Sequence, residues 1–156
     1  MSRKIKTKTS GSLGLLSVTI GIVYLWFGML KFFPGLSPAE GLAQETIRML
    51  TFDILAPSWS IALLAIWETG LGLLLISGLF KRLAIPLALI HIALTFTPML
   101  FFPDQVFAIS PFSLTLLGQY ITKNIIIAGG LVLIWKDYRH QHSAGNIPRF
   151  NQKARS

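Results

Sequence analysis

Apolar positions along this chain fall in four long runs, at 13–33, 59–80, 83–102 and 118–135. About 20 such residues cross a hydrocarbon core of about 30 Å, so each run predicts a membrane-spanning helix. The pattern predicts an all-α, polytopic membrane four-helix bundle occupying 13–136. A basic segment, 1–12, precedes it and a basic tail, 137–156, follows. The first segment is expected to be unstructured or to lie at the lipid surface. Pro34 and Gly35 should end span one. In span three, Pro86 and Pro98 are tolerable where neighbours satisfy the freed carbonyls.

The connections are unequal. Lys81 and Arg82 make a tight hairpin between spans two and three. The first long connection contains "SPAEGLAQETIRML", where Ser37 and Glu40 have capping-box spacing and Pro38 suits the first helical position. Ala39, Leu42, Ala43, Ile47 and Leu50 follow as one apolar stripe. This predicts an amphipathic helix at the membrane interface or over the bundle mouth, as a passive lid or a gate. The second long connection, "PDQVFAISPFSLTLLGQY", is apolar enough to sit at the interface or dip into it. Gly14, Gly21 and Gly28 recur every seven residues on one face of span one, a smooth seam for a neighbouring helix.

Composition sharpens this picture. Hydrophobic residues make up 53% of the chain and charged residues 13%, with mean hydropathy +0.63. The net charge of +8 does not point to nucleic acid, because all of the 14 Lys and Arg except Lys31, Arg48 and Lys123 flank the spans on one side. The positive-inside rule then places both termini in the cytoplasm, in an inner cell membrane. The first run is too long for a cleaved leader and reads as a membrane helix. With Cys 0 there is no thiol nucleophile, disulfide or thiolate metal site. Histidine spacing gives no metal or haem motif, and no nucleotide-binding motif is visible. Redox chemistry would require a bound molecule or another subunit.

Ionisable groups inside spans need a partner or a role. Glu68 lies about nine residues from the outer end of span two, roughly 13 Å deep. On span four, Gln119 with Lys123 and Tyr120 with Asn124 are spaced i,i+4 and form a polar wedge. A Glu68–Lys123 ion pair is therefore expected, either structural or functional. His91 and Thr95 share a face of span three, as Tyr24 and Lys31 do on span one. His91 reads as a hydrogen-bonded bundle histidine or a proton carrier. Lys31 reads as a snorkelling interfacial lysine or a pocket residue. Trp67, beside Glu68, could line a pocket that opens outward.

The stretches "YLWFGMLKFFPGLSPAE", "WETGLGLLLISGLFKR" and "GQYITKNIIIAGGLVLI" together resemble the signature regions of the DoxX-like membrane proteins. In that family an apolar helix ends in Gly-x-x-Lys, a Glu precedes a Gly-Leu-rich stretch, and the last helix opens with Lys-Asn. The likeness covers about 15–135 and carries Lys31, Glu68, Lys123 and Asn124. It implies a bacterial or archaeal cytoplasmic-membrane bundle that works with redox partners. Relatives include the membrane subunit of thiosulfate:quinone oxidoreductase. The expectation is a quinone-linked redox membrane protein or subunit. Lys31, Lys123, Asn124, Tyr120, Gln119 and Trp67 would surround the quinone, and Glu68 and His91 would move protons. The alternatives are a non-catalytic anchor or scaffold, and a small transporter.

Overall fold

The computed structural model describes residues 2–109 and 112–144, with side chains described for 11–109 and 112–142. Eight helices are present among them. They are α1 (Ser2–Leu30), α2 (Glu40–Leu50), α3 (Pro57–Ser77), α4 (Lys81–Leu94), α5 (Pro98–Phe101), α6 (Pro103–Val106), α7 (Leu116–Thr122) and α8 (Asn124–Ala144). The predicted spans are recovered as Gly11–Leu30, Pro57–Ser77, Lys81–Phe101 and Leu116–His142, each long and apolar enough to cross a membrane.

Helix α1 runs on through the basic segment expected either to be unstructured or to lie at the lipid surface. No proline interrupts residues 2–12, so a helix fixed by its packed part propagates at small cost. Likewise α8 passes Trp135 and continues to Ala144. The remaining tail, with Arg149, Lys153 and Arg155, lies outside the described residues.

Span three is not one uninterrupted helix. Pro98 cannot donate to the ladder, and the chain turns over 95–97 before α5 begins. Thr95 and Thr97 hydroxyls donate to the Ile92 and Leu94 carbonyls, each at 2.7 Å, satisfying groups the break exposes. Span four is interrupted at Lys123, between α7 and α8.

The capping box does not form. Glu40 starts α2 itself, with Ala39 at the cap position and no side-chain cap. Gly35 adopts a left-handed φ of 79°, and its N–H is turned to the Glu40 carboxylate at 2.9 Å. That bond replaces the one expected from Ser37.

Four helices close a ring: α1 packs on α3 most extensively, α3 on α4, α4 on α8, and α8 on α1. Their core contains Ile20, Tyr24, Leu71, Leu75, Ile85 and Leu131. Large apolar side chains also face outward, including Leu15, Ile22, Leu63, Ile66, Leu73 and Ile90. An apolar belt on the outside of an apolar-cored bundle suits lipid rather than water. Leu13 and Gly14, Lys81, and Asp137 with Tyr138 line one cleft, so the start of span one, the later part of α8 and the short hairpin lie at the same end of the bundle.

The glycine seam holds for two of its three members. A Cβ on Gly21 would approach the Gly72 carbonyl to 2.8 Å, and one on Gly28 would approach the Thr69 nitrogen to 2.6 Å. Gly72 answers from α3, where a Cβ would lie 2.6 Å from the Leu25 nitrogen. Gly14 meets nothing within 4 Å. Ser17 adds a buried hydrogen bond to the Leu75 carbonyl, 2.9 Å, across the same interface.

At the opposite end, the long connections make a second apolar cluster of Leu42, Val106 and Ile121. Phe107 and Leu114 pair through an isolated antiparallel bridge. Thr115 then caps α7 by accepting from the Gly118 N–H at 3.1 Å.

Candidate functional site

Between the two clusters lies a cavity of about 220 Å³. Tyr24 and Ile92 of the first cluster line it, as do Leu42 and Ile121 of the second. The predicted stripe of Ala39, Leu42, Ala43, Ile47 and Leu50 forms one wall, so α2 lies over the bundle interior. Every spanning helix contributes to the remainder. The walls are mainly apolar, with a few polar groups converging on the same space.

Glu68 on α3 anchors the first polar group. Its Oε2 accepts from Lys31 Nζ at 2.6 Å, and its Oε1 lies 3.4 Å from His91 Nε2. The Lys31, Glu68 and His91 side chains are only 8%, 10% and 12% exposed, so this cluster is removed from solvent. The expected Glu68–Lys123 pair is absent. Lys31, read as either a snorkelling boundary lysine or a pocket residue, is the carboxylate's buried partner. The cause is packing: the glycine seam brings α1 against α3, and Lys31 lies one turn beyond Gly28.

His91 extends the chain to Tyr24. The Tyr24 hydroxyl donates to the Ala88 carbonyl at 3.1 Å and lies 3.2 Å from His91 Nδ1. With its proton so directed, that hydroxyl accepts, and Nδ1 must donate. In a neutral imidazole, Nε2 would then turn a lone pair toward Glu68; in imidazolium it presents an N–H. The Glu68–His91 contact therefore becomes attractive when the ring takes up a second proton.

Lys123 and Asn124 make the second polar group. Lys123 Nζ lies over two rings, 3.6 Å from the Tyr120 centroid and 4.4 Å from that of Phe27. Those rings meet edge to face at 5.3 Å. Asn124 lines the same cavity, and its Nδ2 donates to Thr95 Oγ1 at 3.0 Å.

Of the eight residues expected at a site, Lys31, Glu68, His91, Tyr120, Lys123 and Asn124 line the cavity. Trp67 and Gln119 do not. Trp67 is 41% exposed on the outer side of α3, about 100° around the helix from Glu68. Gln119 is exposed and donates to the Leu114 carbonyl at 3.3 Å. Phe27 was missing from the expectation. Its position between Tyr24 and Lys31 on one helical face was the available signal. Thr46 was missing too, a buried break in the apolar stripe of α2.

Fold and site together define an all-helical, multi-pass membrane protein with an apolar cavity among its spans. No family model, curated protein or solved structure matches the chain.

Proposed function

We propose that this chain is a DoxX-like membrane protein, a quinone-linked redox component that works with a partner in a cytoplasmic membrane. The observation that carries the reading is the convergence of two polar groups on one apolar cavity. One is the Lys31–Glu68–His91–Tyr24 chain; the other is Lys123 with Asn124. A quinone presents an apolar ring with oxygens at opposite ends, and that donor set suits it. When bound, it would supply two-electron chemistry, with electrons coming from the partner. The chain's own residues orient the ring and exclude water. Lys123 and Asn124 are placed to hydrogen-bond one oxygen, and His91, backed by Glu68, to hold and deliver a proton.

Titrating the purified protein with a ubiquinone or menaquinone analogue tests this by calorimetry. Saturable binding is expected, weakened about tenfold by Lys123→Met and by His91→Leu, since each removes a hydrogen bond from a charged or polar donor. Absence of saturation, or binding indifferent to both substitutions, would sink the reading.

A scaffold role is the second reading, favoured by the 2.6 Å Lys31–Glu68 pair bridging the two most extensively packed helices. It requires that cellular function survive replacement of both residues by apolar ones.

A further inference from the structure

Charge inside the cavity does not balance. Its charged lining residues are Lys31, Lys123 and Glu68, with His91 able to add a second proton. Lys31 and Glu68 neutralise one another at 2.6 Å. Lys123 has no carboxylate within ion-pair distance among the described residues, where the ion pairs involve Glu68 and Asp53 only. Aromatic faces attract an ammonium group but cannot cancel its charge. The site therefore carries one net positive charge with neutral His91 and two with imidazolium.

An unpaired cation among spans is costly unless something completes it. Lys123 is half-buried, its ammonium lying over the Phe27 and Tyr120 rings in a mainly apolar cavity, so solvent completes it only in part. The missing charge can come from the occupant. Asn124, the next residue, lines the same cavity and is held by its bond to Thr95 Oγ1 at 3.0 Å.

We infer that the cavity binds a lipid-soluble monoanion, an apolar body bearing one oxyanion that pairs with Lys123. This deepens the quinone reading, whose cavity it shares, by specifying an acidic oxygen on the ligand. The same chemistry is offered by a ring hydroxyl ionised next to a quinone carbonyl and by a long-chain carboxylate.

Two matched pairs of probes separate these sources, measured on the full chain in an uncharged detergent. One pair is 2-hydroxy-1,4-naphthoquinone, ionised at neutral pH, against uncharged 1,4-naphthoquinone. The other is dodecanoate against dodecanol. The anion of at least one pair is expected to bind about tenfold or more tighter than its neutral counterpart, the increment typical of a charge-assisted hydrogen bond. Lys123→Met should abolish that preference, weakening the anion more than its neutral counterpart, whereas Lys123→Arg should retain it. Melting temperature, followed alongside, identifies any variant that fails to fold, and the arginine variant then carries the test.

Equal affinity for anion and neutral probe in both pairs overturns the inference, even if naphthoquinone saturates and the quinone reading stands. An anion preference that persists in Lys123→Met overturns it as well. Lys123-dependent binding of dodecanoate without any naphthoquinone binding upholds the inference and removes the quinone reading. No saturable binding by any probe overturns both.

Discussion

Lys31→Met is expected to destabilise the bundle by about 3–5 kcal/mol, the cost of stranding one member of a buried ion pair. The pair is short, 2.6 Å, and both side chains are nearly inaccessible at 8% and 10% exposure. Without Lys31, the only other side-chain nitrogen within ion-pair distance of the carboxylate among the described residues is His91 Nε2 at 3.4 Å. Glu68→Gln should be milder, because the amide can still accept from Lys31, although that lysine then lacks its counter-charge. The double replacement Lys31→Met with Glu68→Leu should recover most of the loss, since an apolar pair removes both desolvation costs at once. Thermal unfolding of the four proteins in one detergent checks the series. A Lys31→Met protein within about 0.5 kcal/mol of wild type, the range of an ordinary surface change, would mean that the pair does not hold α1 to α3. The double variant also bears on function: a stable bundle that has lost quinone binding speaks for a site, and one that keeps its cellular role speaks for a scaffold.

The spans were legible because about 20 consecutive apolar residues have few alternatives to a membrane helix. The stripe on α2 was legible for a related reason, its period of 3.6 marking one buried face. Breaks within spans three and four were harder to see. Pro98 is compatible with a kinked helix as well as an interrupted one, and Lys123 has no breaker beside it. Choosing Glu68's partner failed for a different reason. Depth arithmetic puts Lys31 and Lys123 both within reach, and depth cannot say which helices are neighbours. The glycines could have. Gly21 and Gly28 on span one match Gly72 on span two, as surfaces where backbones approach closely. Pairing those faces brings Lys31, three residues past Gly28, toward Glu68, four residues before Gly72. Trp67 was misplaced by adjacency in sequence, which on a helix moves a side chain to another face. Gln119 was misplaced because i,i+4 spacing from Lys123 does not oblige both side chains to serve the same space. Its amide is satisfied locally instead, by the Leu114 carbonyl.

Gly28→Ala should lower stability by about 1–3 kcal/mol, as overpacking does, although alanine is otherwise the better helix former. The added carbon would lie 2.6 Å from the Thr69 nitrogen and 3.0 Å from the Glu68 Cβ, so α1 and α3 must separate. It would also press at 2.7 Å on the Thr69 hydroxyl, a buried oxygen with no hydrogen-bond partner among the described residues. Gly70→Ala is the control on the same pair of helices, because a Cβ there meets nothing within 4 Å. It should be neutral or stabilising by up to about 1 kcal/mol, the propensity gain alone. Opposite shifts in melting temperature would separate close approach from propensity; a Gly28→Ala protein as stable as Gly70→Ala would show that the seam is loose. Ligand affinity should discriminate further. Gly28 lies one helical turn from Lys31, so forcing the helices apart there strains the 2.6 Å contact that sets the carboxylate's position. Gly21→Ala meets Ile76 and the Gly72 carbonyl about 10 Å farther along α1, and should cost stability with less effect on binding. A bundle whose seam and site share Glu68's helix face predicts that difference, because only the first substitution moves the carboxylate.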